Sequence, residues 1–171
     1  RNSKTKLLLG PRYALLKKPF SIYRDRYKMK KHLNKILVTL GGGEKKEGCI
    51  IKIVRAIEQL GQSNLHLRII GRLKPALKNS IKNHLKNNSI RFDLKDIVNN
   101  IWEDMLWADL AICGGGTTTY ELCCLGVPFM TVIVADNQEF NAELLERENI
   151  SINLGWHNKL NTEEIKIKLS D

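Results

Sequence analysis

The first thirty-five residues show no sustained period, but from Lys35 the chain settles into a regular alternation of short apolar runs and helical spacings. ILVTL (36–40) is β-branched and apolar and stops at Gly41, Gly42 and Gly43, as a strand entering a turn does. In CIIKIVRAIEQLG the apolar positions Ile50, Ile51, Val54, Ile57 and Leu60 recur at helical spacing, and Gly61 closes the stretch. LHLRII (65–70) predicts a second strand, and residues 75–85 predict a helix with Lys78, Lys82 and Lys86 on its polar side. A short strand in SIRFDL, a helix over 101–107 and a strand in LAIC (110–113) follow. After them come a Gly–Thr helix, the strand VPFMTVIV, a helix from about 137 to 148, the strand ISINLG and a helix near 162–169.

Strands that alternate with helices form a parallel sheet covered on both faces. The pattern therefore predicts a Rossmann-like α/β domain over residues 36–171, with strand order 3-2-1-4-5-6. Residues 1–35 fall outside the alternation and read as a basic interdomain connector: an entering strand or linker, then a basic helix. No fixed-period repeat competes with this reading.

In such a sheet, strands 1 and 4 are neighbours whose connections leave in opposite directions, opening a crevice at their C-terminal ends. The two glycine clusters, Gly41–Gly43 and Gly114–Gly116, follow those two strands and are expected to meet there. A helix starting after Gly116 leaves its first N–H groups unpaired and carries a partial positive charge, which suits a phosphate. Thr117, Thr118 and Thr119 can cap that helix or donate hydroxyls to the anion. Thr118 and Glu121 have capping-box spacing, yet the Glu121 carboxylate is equally suited to accept both hydroxyls of a ribose. Asn137 and Gln138, after the fifth strand, can cap the next helix or bond sugar hydroxyls.

GGGEKK lacks the third glycine of the dinucleotide fingerprint, and no GxxxxGK[ST] loop occurs, so hydride transfer and ATP hydrolysis lack their motifs. His66 and His157 have no partner visible in sequence and read as structural, and no catalytic base emerges. Cys49, Cys113, Cys123 and Cys124 show no metal-ligand spacing, so no metal or other cofactor is expected. Their pattern suggests small buried residues in a reducing, cytoplasmic compartment. No apolar run approaches the length of a membrane span.

The net charge of +10 is unevenly placed. Residues 1–35 hold 12 Lys and Arg against Asp25 alone, whereas the remainder sums to −1. Without a recognised nucleic-acid motif, that surplus reads first as a solvated linker. Any binding of nucleic acid or anionic lipid by it would be non-specific and steeply salt-dependent. The chain opens on Arg1 rather than methionine, as a processed product or a portion of a longer protein would.

LLLGPRYALLKKPF, KILVTLGGG, ADLAICGGGTTTYELCCLGVP, VIVADNQ and INLG together resemble one family over nearly the whole chain. It is the family of pseudaminic acid pathway UDP-sugar hydrolases (UDP-2,4-diacetamido-2,4,6-trideoxy-β-L-altropyranose hydrolases) and spore-coat polysaccharide biosynthesis proteins. The chain resembles the C-terminal half of their GT-B fold and is more distantly similar to glycosyltransferase family 28 C-terminal domains, such as that of the lipid II-forming transferase. The resemblance implies a UDP-sugar ligand, a hydrolase or a transferase as the intact enzyme, and a missing N-terminal domain that holds the catalytic histidine. It implies further that Glu121 holds the ribose and that Gly114–Thr118 and the Gly41–Gly43 loop hold the diphosphate. Backbone near Val98, Asn99 and Asn100 would read the uracil, and Asn137 and Gln138 would contact the hexose. After the first glycine loop the family has small or acidic residues such as Ser-Asp, where this chain has Glu44-Lys45-Lys46.

Overall fold

The computed structural model describes residues 6–8, 10–41 and 47–170. Six strands form one sheet: β1 (Lys35–Thr39), β2 (His66–Ile70), β3 (Arg91–Lys95), β4 (Leu110–Gly114), β5 (Phe129–Ile133) and β6 (Ile152–Trp156). Every pairing is parallel, and the order is β3-β2-β1-β4-β5-β6, as the sequence predicts. The central pair runs from Ile36 opposite Leu110 to Thr39 opposite Cys113.

Alternation along β1 sends Ile36 and Val38 to one face and Leu37 to the other. Both faces are apolar because both are covered, which is why ILVTL shows no polar–apolar alternation. On the first face lie α2 (Glu47–Glu58), α3 (Pro75–Leu85) and α7 (Thr162–Ser170). Buried residues such as Ile53, Ile57, Leu77, Ile81 and Ile165 contribute that face's helical side. On the second lie α1 (Lys18–Tyr23), α4 (Ile101–Trp107), α5 (Thr117–Leu125) and α6 (Glu139–Arg147).

The opening segment narrows the expectation. No strand enters the sheet from its described residues, which leaves the linker alternative, and the helix is Lys18–Tyr23, ahead of the charged run Arg24–His32. Apolar anchoring decides the position. Phe20 is fully buried with Leu122 and Leu125, at a contribution of about 1.5–3 kcal/mol, whereas the charged run has almost nothing to bury. Phe20 meets Trp102 edge-on at 6.1 Å and Tyr23 stacks on the same ring at 6.4 Å. Tyr27 O–H donates to the Asp109 carbonyl at 3.2 Å, and Asp109 Oδ2 accepts the N–H groups of Asn34 and Lys35, fixing the entry to β1.

A polar cluster lies between β2, β3 and α4. Asp104, 5% exposed, accepts from Arg68 Nη1 and Lys95 Nζ, both at 2.7 Å. Asp93 accepts from Arg68 and hydrogen-bonds His66 at 2.9 Å. These bonds hold the Asp93 carboxyl below its usual range against the opposing pull of partial burial. The Arg68 guanidinium lies 3.8 Å from the centre of the Trp107 ring. His66 is therefore structural, held by a carboxylate on the next strand.

Among the described residues no cysteine is paired in a disulfide and no helix is long and apolar enough to cross a membrane.

Candidate functional site

β1 and β4 are adjacent at the point where the strand order reverses, and the segments that leave them touch. Gly41 has φ +76°, a left-handed backbone that favours glycine, and starts the turn after β1. Gly114 ends β4 so close to that turn that an added Cβ would lie 3.4 Å from the Leu40 carbonyl oxygen. At Gly115 a Cβ would lie 3.2 Å from both Cβ and the carbonyl oxygen of Gln138, tighter than ordinary packing. The glycines thus let two loops and the segment after β5 pack together. Gly42 and Gly43 lie outside the described residues.

α5 begins at Thr117 with Gly116 as its N-cap and no side-chain cap. The capping box is not formed, because Thr118 lies inside the first turn and Glu121 in the second. Thr119 N–H and Oγ1 both donate to the Gly116 carbonyl, at 3.1 and 2.8 Å. The N–H groups of Gly116, Thr117 and Thr118 carry no hydrogen bond to another described residue. They stand at the positive end of the helix dipole, with the Thr117 side chain exposed.

Glu121 is half-buried on the same helix, and its carboxylate makes no hydrogen bond to a described residue. Burial raises its carboxyl above the usual value, and the Lys17 ammonium acts in the opposite sense. Burial also pushes the Cys113 thiol, at the end of β4, well up.

The helix expected from about residue 137 starts as a single 3-10 turn, Asp136–Gln138, before α6. Gln138 turns inward: its Oε1 accepts the Val134 N–H at 3.2 Å, and its Nε2 faces Gly116. Asn137 is exposed on the same turn. Val98, Asn99 and Asn100 form the loop between β3 and α4, at the same edge of the sheet. Val98 packs against the apolar cluster beneath α4 and α5, and Asn100 Nδ2 donates to Glu103 Oε1 at 3.3 Å.

Asn141 on α6 is a residue that sequence reasoning missed. Its Nδ2 donates to the Gly115 carbonyl at 2.8 Å and to Thr119 Oγ1 at 3.0 Å, while its Oδ1 accepts from Tyr120 O–H at 3.0 Å. It pins the glycine turn to α5 and α6. No local pattern marks an Asn for such work.

A cavity of about 490 Å³ opens beside Gly41, walled by Leu40, Ile70, Gly71, Arg72, Leu73 and Ile97 among others. Among the described candidate residues Gly41 alone is on its wall, and the free N–H groups of α5 lie outside it. Donor chemistry, rather than enclosed volume, therefore marks the candidate site as the open cleft over α5. Among the described residues no group of three or more His, Cys, Asp or Glu side chains is arranged to hold a metal ion.

The glycosyltransferase family 28 C-terminal domain matches residues 36–171, the sheet from Ile36 onward and every helix after α1. The chain belongs to this family. A relative of the family 28 domain is the spore coat polysaccharide biosynthesis protein SpsG of Bacillus subtilis (strain 168), 27% identical over 154 residues. That match covers 88% of this chain and 44% of SpsG, so the chain spans less than half the length of its relative. Among solved structures the domain is similar to MurG of Acinetobacter baumannii, with TM-score 0.67 and 15% identity over 88% of this chain and 43% of MurG. It is similar too to a putative UDP-N-acetylglucosamine 2-epimerase from Listeria monocytogenes, with TM-score 0.63 and 14% identity over 89% of this chain and 42% of that one. At those identities the two structures share the fold, that of the Rossmann-like half of a GT-B protein.

Proposed function

We propose that the family 28 domain binds the UDP moiety of a nucleotide sugar and is the donor-binding half of an enzyme that releases UDP from an amino sugar. The observation that carries this reading is the start of α5, where unengaged N–H groups precede a half-buried Glu121 by one turn. The N–H groups suit a diphosphate, and the carboxylate supplies two acceptors for a ribose diol. In this reading Gly114–Thr118 and the Gly41–Gly43 loop cradle the diphosphate, and the backbone of Val98–Asn100 reads the uracil edge. Asn137 meets the hexose together with the Nε2 of Gln138, whose Oε1 is already engaged.

As the glycosidic bond breaks, negative charge grows on the departing diphosphate. Donors fixed at a helix end stabilise that charge without reorganising. With water as acceptor the enzyme is a hydrolase, the reading that the motifs favour. With a hydroxyl acceptor it is a transferase, which family 28 membership supports. Residues 1–35 then serve as the connector to an upstream half.

Titration calorimetry with UDP and ADP, joined to amide chemical-shift mapping, tests the reading. UDP is expected to bind the more tightly and to shift residues 114–121. Equal or tighter binding of ADP, with shifts elsewhere, would sink it.

A further inference from the structure

We propose that Lys17 is a positioning residue of this site: the connector's cation, set beside Glu121 by the docking of α1 on α5, tunes the acceptor offered to the ribose. The proposal rests on the nucleotide reading above and adds to it a residue from outside the matched family domain, which begins at residue 36.

The geometry starts from spacing on α5. Glu121, Cys124 and Leu125 are separated by three and four positions and share one helix face. That face receives α1. Leu125 packs with the fully buried Phe20, and the Cys124 thiol donates to the Phe20 carbonyl at 3.6 Å. Lys17 is the N-cap residue of α1, one turn before Phe20, and its carbonyl accepts the Phe20 N–H at 3.1 Å. The anchored Phe20 therefore fixes where the Lys17 backbone stands, and the flexible ammonium does the rest. The pair forms no contact salt bridge, so the ammonium acts on the carboxylate through space.

Several other charged groups on the described elements around α5 are engaged elsewhere. Asp104 on α4 is engaged by Arg68 and Lys95, and Glu103 accepts from Asn100. On α6, Glu139 accepts from Trp156 Nε1. Cys113 on β4 and Cys123 on α5 have thiols raised by burial and stay neutral while a carboxylate titrates. Tyr120 on α5 donates to Asn141, and among the described residues it is the Lys17 ammonium that pulls on the Glu121 carboxylate. Burial favours the protonated carboxyl, which has lost one acceptor, and Lys17 opposes that loss. Undocking α1 would carry the cation away, so the connector's position and nucleotide affinity are coupled.

The test compares Lys17→Ala, Lys17→Arg and Lys18→Ala, the last removing the same charge from the next position. Carbon-13 NMR follows the Glu121 carboxyl against pH in the ligand-free chain, and calorimetry follows UDP affinity against pH. Lys17→Ala is expected to move the carboxyl midpoint upward and to weaken UDP binding about two- to fivefold in mildly acidic solution, with Lys17→Arg restoring both. Lys18→Ala is expected to change neither. An unmoved midpoint in Lys17→Ala, or an equal shift in Lys18→Ala, overturns the proposal. A moved midpoint in a chain whose wild type ignores UDP sustains the Lys17–Glu121 pairing and overturns the nucleotide reading instead.

Discussion

Glu121 holds a half-buried carboxylate with no hydrogen-bond partner among the described residues, and its ionisation opposes folding. Its folded value is raised above the ordinary 4.5, so the unfolded chain releases this proton first. Stability contributed by the protonated form is therefore present below 4.5 and is lost as pH rises through the raised folded value. Glu121→Gln removes that cost, so its melting temperature at neutral pH is expected to equal or exceed that of the wild type. UDP binding should weaken about tenfold or more, as expected when a hydrogen bond to a charged group, about 1.5–3 kcal/mol, is lost. Thermal melts and calorimetry on the same preparation check both halves, and unchanged affinity would return Glu121 to a structural role. The glycines and Glu121 were legible because turn chemistry and helix spacing are local. Asn141 was not, since its bond to Gly115 spans 26 positions and depends on how α6 lies against α5.

At the scale of elements, the alternation translated almost directly into strands and helices because each strand is buried on both faces and each helix on one. The helices over 75–85 and 101–107 have the bounds that their spacing predicts. In the basic opening segment positive charge carries no information about a partner, whereas one phenylalanine among lysines found a pocket built from α4 and α5. The polar cluster under α4 was equally invisible, since it joins three elements. Asp104 neutralises two cations there at 2.7 Å. Asp104→Ala leaves Arg68, which is 14% exposed, with Asp93 as its remaining counter-charge and is expected to cost about 1.5–3 kcal/mol in urea denaturation. Binding of UDP, across the sheet edge, should follow only through the loss of folded protein.

For the molecule as a whole, the strand order was readable from the alternation and from the paired glycine clusters at its point of reversal. The catalytic step was not, because the chain spans less than half of its relatives' length. The domain alone is expected not to release UDP from a UDP-linked 2,4-diacetamido-altrose. A general base contributes about 10²–10⁴-fold, and under the proposed function closure of an upstream half would orient the reactants and exclude water. Assaying UDP release with the domain alone, and then with the upstream half supplied, checks this. Turnover by the domain at the rate of the intact enzyme would overturn it. His157, which follows β6 and whose N–H donates to the Ile133 carbonyl, would then be the first side chain to replace.

The placing of β1 in the middle of the sheet has a consequence for how the protein is made. β1 is the first strand of this sheet to be made, yet its neighbour β4 comes much later: Lys35 is 74 positions from its partner Asp109. α2 packs against α3 on one side and α7 on the other, and Lys52 reaches the Leu160 carbonyl across 108 positions. At about 5–20 residues per second, the part of α2 that α7 covers waits some 5–20 s. During translation that surface belongs to whichever binds it first, a chaperone or a neighbouring nascent chain, and only afterwards to the last helix of the domain.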